Sequence, residues 1–136
     1  NLKKVLLSHL RSSNFYESLA SRFLEQQGVV ILDRNFAWAG GEIDIIANHK
    51  TDLVFFEVKF RKNDAHGCPS ETLTRAQMQR IRNCTQLYLE QHQLHHRYYR
   101  FDVIAITQRQ SQPALIAEFA PVIFENYEIN WLKSAF

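Results

Sequence analysis

The sequence predicts a mixed α/β fold, a central β-sheet flanked by helices in the element order αβββαββ. Three observations carry this. Two segments repeat apolar residues at helical spacing, five short apolar or alternating runs lie between and after them, and glycine or polar clusters punctuate the boundaries. The chain has 136 residues, 46% of them hydrophobic, enough to bury one core without disulfide or metal staples. The expectation is a single domain over residues 1–136.

In Asn14 to Gln27, Phe15, Leu19, Phe23 and Leu24 recur at helical spacing and Gly28 supplies a stop, which predicts the first helix. Val29 to Leu32 follows as a short buried strand running out through Asn35 to Gly40-Gly41, where the backbone turns freely. Glu42 to Asn48 and Leu53 to Arg61 form a hairpin around His49-Lys50-Thr51-Asp52. Lys62 to Thr72, with Gly67 and Pro69, has no hydrophobic period and is a loop. A long helix runs from Leu73 to Gln91 with Met78, Ile81, Cys84, Leu87 and Tyr88 on its inner stripe. Tyr99 to Thr107 alternates into a strand, Ala114 to Phe119 is a last edge strand, and a tail ends in Asn130 to Phe136.

Lysine and arginine exceed aspartate and glutamate by two, which excludes attachment to nucleic acid by bulk charge and requires any basic surface to be local. Cys68 and Cys84 match no zinc-ligand spacing and read as free thiols of a cytoplasmic protein. Val5-Leu6-Leu7 is too short for a membrane span or a secretory segment.

Chemistry concentrates on the run Leu53 to Arg61. Side chains alternate faces along a strand, so Val54, Phe56, Val58 and Phe60 share one face while Glu57, Lys59 and Arg61 share the other. A hairpin with Asn48 facing Leu53 sets Asp44 opposite Glu57. Facing carboxylates repel unless one is protonated or a cation lies between them. Hard oxygen ligands suit Mg²⁺, with Mn²⁺ as a substitute, and Lys59 beside them would stabilise charge on a phosphate. Arg61, Lys62 and Arg75 add positive charge for nucleic-acid phosphates. The competing reading of Glu57 and Lys59 is a solvated strand face. Glu42 either joins the face as an outer ligand or caps the turn.

The ordered set Gly41-Glu42-Ile43-Asp44, Phe56-Glu57-Val58-Lys59-Phe60-Arg61 and Arg100-Phe101-Asp102-Val103-Ile104 resembles the YraN-like proteins of bacteria, a family of uncertain role assigned to the PD-(D/E)XK nuclease superfamily. The resemblance covers nearly the whole chain. It implies a restriction-endonuclease-like core, Asp44 and Glu57 as metal ligands, and Lys59 as the residue that positions or activates water. Glu17 matches a first-helix acidic residue that some members direct into the site; the alternative is an ordinary exposed glutamate. Two departures stand out. The approach to the first helix reads Ser12-Ser13-Asn14-Phe15-Tyr16 instead of a glycine-containing stretch, and Gln77 occupies the place of a frequent lysine, keeping hydrogen bonding to phosphate or water without the charge.

Asp102 reads as a structural partner of Arg100. His92, His95 and His96 read as a solvated helix end, and His66 as a weak candidate for substrate contact. The expected activity is Mg²⁺-dependent hydrolysis of DNA phosphodiester bonds. No segment looks like a base-reading recognition helix, so cleavage is expected to be structure-specific or nonspecific. The alternatives are a nucleic-acid-binding module without turnover and a protein-interaction module. A homodimer through a sheet edge or through Tyr98 and Tyr99 would allow two cuts.

Overall fold

A computed structural model describes residues 2–38, 40–61, 73–109 and 122–136, and of residues 2–13 the backbone alone. Helix α1 spans Leu2–Gln26, starting well before the Asn14 expected from apolar spacing. It ends as expected: Gly28 takes φ 85°, Gly28 N–H donates to Glu25 O and Val29 N–H to Leu24 O, both at 3.0 Å, so glycine closes the last turn in the left-handed region.

Strands β1 (Val30–Trp38), β2 (Gly41–His49) and β3 (Asp52–Arg61) precede α2 (Arg75–Gln91); β4 (Tyr99–Gln108), β5 (Val122–Phe124) and β6 (Tyr127–Leu132) follow it. They form one six-stranded sheet in the order β1-β2-β3-β4-β6-β5. Only β3 and β4 are parallel, and the crossover this demands is α2. The mixed sheet with two helices agrees with the expectation, but the order among the described residues is αβββαβββ. The strand expected at Ala114 to Phe119 lies outside the described residues. The segment read as a tail supplies β6 instead, with Tyr127, Ile129 and Trp131 alternating onto the core.

β1 is also corrected. It is a nine-residue edge strand, flanked on one side only, with Val30 and Leu32 59% and 43% exposed. The apolar run was a poor guide because burial there depends on what covers the sheet. In α2, Thr85 and Leu89 are buried with Ile81, Cys84 and Tyr88, whereas Met78 and Leu87 are only partly covered.

The two faces of β3 carry two cores. Val54 and Phe56, with Val58 and Phe60 at the margin, pack with Leu19, Ala20, Phe23 and Leu24 of α1. Leu53 and Phe55 pack with Ile81, Cys84, Tyr88 and Leu89 of α2. Phe55 and Phe56 are each 1% exposed, a burial that stabilises by about 2–3 kcal/mol per side chain. The alternation expected for β3 is therefore what sandwiches it between helices.

The register of the hairpin is held from its turn. Arg97 donates to Asn48 Oδ1 at 2.6 Å and to Thr51 O at 3.1 Å, and Arg100 pairs with Asp52. Behind them Asp102, 0% exposed, accepts from Arg100 Nε, from Trp131 Nε1 at 2.8 Å and from the Ser134 N–H at 2.9 Å. Asp102 thus ties β4 to β6 and the chain end, the structural role expected for it. Among the described residues no helix is long and apolar enough to cross a membrane.

Replacing Asp102 by alanine leaves Arg100 Nε, Trp131 Nε1 and the Ser134 N–H without their shared acceptor. A loss on the order of 3 kcal/mol is expected in urea unfolding followed by tryptophan fluorescence, with a smaller loss for Asp102→Asn.

Candidate active site

The ladder between β2 and β3 runs from His49↔Asp52 through Asn48↔Leu53 to Ile45↔Phe56. Lys50, with φ 55°, and Thr51 make the turn, tighter than the four residues expected, yet the expected register is kept. Beyond Ile45 the two strands part. The start of β2 stays with β1, through Phe36↔Ile43 to Trp38↔Gly41, while the end of β3 stays with β4, through Glu57↔Val103 to Arg61↔Thr107. The sheet forks where Asp44 and Glu57 would be the next pair. In the fork Asp44 Oδ2 accepts the Val58 N–H at 2.8 Å, replacing the missing ladder bond.

Four carboxylates meet there. Glu17 comes from α1, on one stripe with Ala20, Ser21 and Leu24, and is 6% exposed; helical spacing, not exposure, decides its direction. One carboxylate oxygen each of Glu17, Glu42 and Asp44 lie within 4.8 Å of one another. Glu57 lies against Asp44, and Lys59 Nζ is 3.3 Å from Glu57 Oε1. The structure thus brings Glu17, Asp44, Glu57 and Lys59 together, and it adds Glu42, for which the sequence left open an outer-ligand or a turn role. Among the described residues no other His, Cys, Asp and Glu group is so compact, and His92, His95 and His96 form none.

Burial and like charge act together on these acids. Asp44 is pushed up to about 9, first by burial, then by Glu57, Glu17 and Glu42, against the pull of the Val58 N–H. Burial also raises Glu17, with Glu42 adding to it and the Asn35 amide and Arg34 opposing. Glu57 is raised by burial, while Lys59 restrains it. Asn35 sits in β1 between the pairs Arg34↔Ile45 and Phe36↔Ile43, hence across from Asp44, with φ 56°. Asparagine tolerates that left-handed conformation.

On the α2 side a cleft of about 140 Å³ is lined by Gly40, Gly41, Glu42 and Glu57 and by Gln77, Arg80 and Ile81. Gly40 turns at φ 79°. Gly41 is needed for a different reason from the free turn expected: a Cβ there would lie 2.9 Å from Arg80 O and from Cys84 Sγ, so β2 starts in direct contact with α2. Gln77 is at the cleft, but its Oε1 accepts the Thr74 N–H at 2.9 Å in a capping box. Arg75 is exposed in the first turn of α2 and is not among the residues lining the cleft. Arg61 ends β3. Lys62, His66 and Cys68 lie outside the described residues. Tyr98 is 74% exposed, whereas Tyr99 packs its ring on Phe55 and Phe101.

Comparison with known proteins gives a family without an assigned activity. The sequence model of the uncharacterised protein family UPF0102 matches residues 16–106, a span holding all four carboxylates and the three residues of α2 that line the cleft. A UPF0102 protein of Vibrio campbellii is 43% identical over 132 residues, covering 96% of this chain and 95% of that protein. One from Vibrio parahaemolyticus is 42% identical over 131 residues, with 96% and 95% covered. One from Clostridium perfringens is 39% identical over 127 residues, with 93% and 94% covered.

The proton on Asp44 has a thermodynamic consequence. A carboxyl raised in the folded state stabilises fully below its unfolded value near 3.8, and this contribution is lost as pH rises toward about 9. In chelator, Asp44→Asn, which stays neutral, is expected to melt above the unsubstituted protein at pH 8 and level with it near pH 4. Each kcal/mol corresponds to roughly 4 °C in a scanning-fluorimetry midpoint. Added Mn²⁺ should raise the midpoint of the unsubstituted protein and leave that of the variant in place; equal midpoints at pH 8 would contradict the charge account.

Proposed function

The chain belongs to the uncharacterised protein family UPF0102, and from the carboxylates gathered at its sheet fork we propose that it is a divalent-metal-dependent nuclease of the PD-(D/E)XK type, hydrolysing DNA phosphodiester bonds. The observation that carries this reading is the meeting of Glu17, Glu42 and Asp44 within 4.8 Å, beside Glu57 and its partner Lys59. An ordered set of motifs resembling a nuclease superfamily supports the assignment of roles.

The donor set fits a hard cation. All the ligand atoms are carboxylate oxygens, the combination Mg²⁺ prefers and Mn²⁺ accepts. Without a cation the fork holds Asp44 protonated at neutral pH; with one, the same burial and crowding become ligation. Asp44, Glu57, Glu17 and Glu42 are the residues that would hold it. When bound, such an ion supplies Lewis-acid charge to a phosphate oxygen and eases deprotonation of water.

The protein's own groups do the rest. Lys59 sits on the strand bearing Glu57, so its ammonium is fixed next to the carboxylates, where it can stabilise the growing negative charge of the phosphorane-like transition state. Glu57 Oε1 pairs with that ammonium at 3.3 Å. Asp44 is oriented by the Val58 N–H, which sets the angle at which its second oxygen faces the fork. Tyr16 to Leu24 of α1 and the inner face of α2 are packed onto the sheet, which leaves these stretches no free face for reading bases and favours structure-specific or nonspecific cutting.

A protein-interaction module, in which these charges merely pair, accounts for Glu57 with Lys59 but leaves Asp44 among three acids. The nuclease reading accounts for both.

Labelled single-stranded, duplex and branched DNA incubated with Mg²⁺, Mn²⁺ or chelator should be cut only with metal. Asp44→Ala should abolish cutting and Lys59→Ala should slow it by about 10²–10³-fold. DNA left intact under all metal conditions, or cut equally by both variants, would reject the assignment.

A further inference from the structure

One wall of the cleft beside the fork plays no part in holding a cation. Gln77 and Arg80 line it from α2, three residues apart and therefore on one face. Glu42 and Glu57 line it from the sheet. The Gln77 carbonyl oxygen is committed to the Thr74 N–H, and its backbone N–H donates to Thr74 Oγ1 at 3.1 Å. What Gln77 has left for the cleft is its amide N–H₂, a donor. Arg80, exposed on the same face of α2, carries a guanidinium, also a pure donor. Among the described residues that guanidinium makes no hydrogen bond and no ion pair, although two carboxylates line the same cleft. Residues of opposite charge thus line one space and are not joined.

That space has a volume of about 140 Å³, well above the ~10–15 Å³ one water requires. Its walls differ in kind: acids able to hold a cation on the sheet side, donors able to hold an anion on the helix side. The base of the Arg80 side chain is also fixed. Its carbonyl lies against Gly41, with no room there even for a methyl group, so α2 cannot shift toward or away from the fork without breaking this contact. A ligand carrying negative oxygens on one atom, some facing the cation and some facing α2, satisfies both walls. A phosphodiester is such a group, and guanidinium recognises it through two parallel N–H donors.

We propose that Arg80, assisted by the Gln77 amide, is a substrate-positioning residue that clamps a DNA phosphate in the cleft between α2 and the carboxylate fork. The inference rests on the nuclease reading of the fork. It assigns to the helix face the task of fixing the phosphate relative to the metal ligands, so that Gln77 supplies direction and Arg80 supplies charge. It also separates Arg80 from the exposed Arg75 on the same helix, which does not reach the cleft.

The test measures binding without turnover. Fluorescence anisotropy of labelled DNA in Ca²⁺, over a series of salt concentrations, is compared for the unsubstituted protein, Arg80→Ala and Arg80→Lys, with Mn²⁺ affinity measured separately by titration calorimetry. For Arg80→Ala the clamp predicts affinity lower by about tenfold and a salt slope smaller by about one, the signature of one lost phosphate contact. It predicts an unchanged Mn²⁺ affinity, which a general disturbance of the fork would not leave in place. Arg80→Lys should recover the slope and only part of the affinity. An Arg80→Ala protein that binds DNA with unaltered affinity and slope overturns the clamp while the nuclease reading stands. An unsubstituted protein that binds Mn²⁺ but no DNA overturns the nuclease reading and the clamp with it.

Discussion

Where β2 and β3 separate, the Asp44 carboxylate accepts the Val58 N–H that a continuing ladder would have used. The remaining architecture depends on that single bond. It ends the hairpin without leaving a buried donor unsatisfied, and it points a carboxylate into the gap so created. One arm of the fork carries Glu42 and remains with β1; the other carries Glu57 and Lys59 and remains with β4. Helix α1 delivers Glu17 to the gap and α2 forms the facing wall. A sheet closed through this point would pair Asp44 directly with Glu57 and leave no cavity for any ligand.

Such a site is costly to hold together. Four acids around one gap, three of them raised above their ordinary range, repel one another, and the fold must offset this elsewhere. The compensation lies at the other end of the sheet. Arg97 and Arg100 fasten the hairpin turn, and Asp102 gathers Arg100, Trp131 and the Ser134 N–H into one buried cluster. On both faces of β3 the aromatic and aliphatic cores press the strand between two helices. The turn end fixes the register, the cores transmit it along β3, and the fork receives its residues in place.

How much of this was legible depends on whether the signal was local. The alternation of Val54, Phe56, Val58 and Phe60 with Glu57 and Lys59 is local to one strand, and it came through as a sandwiched strand with a charged end. The register, with Asn48 opposite Leu53, follows from a short hairpin, so the meeting of the Asp44 and Glu57 side chains could be anticipated, but not the parting of the strands that keeps them from pairing. The sequence leaves Glu42 between an outer ligand and a turn cap, because its position depends on where β2 leaves β3, and nothing in Gly41 to Asp44 announces a fork. The need for Gly41 came from α2, far off in sequence. β6 was missed although Tyr127, Ile129 and Trp131 alternate, since three aromatic or branched residues near a chain end look like a tail until a neighbouring strand is known. The exposure of Val30 and Leu32 likewise depends on what covers the sheet edge, which no stretch of β1 records. Nothing local to α2 singles out Arg80, whose place in a cleft shared with two acids depends on how α2 packs against the start of β2.

The central claim is that the fork is a seat for a divalent cation. Anomalous diffraction from crystals soaked in Mn²⁺ tests it most directly. The account predicts a peak bonded to Asp44 and shared with carboxylates of Glu17, Glu42 or Glu57. A fork without a peak at saturating Mn²⁺, with Asp44 and Glu57 still in contact through a shared proton, would contradict it.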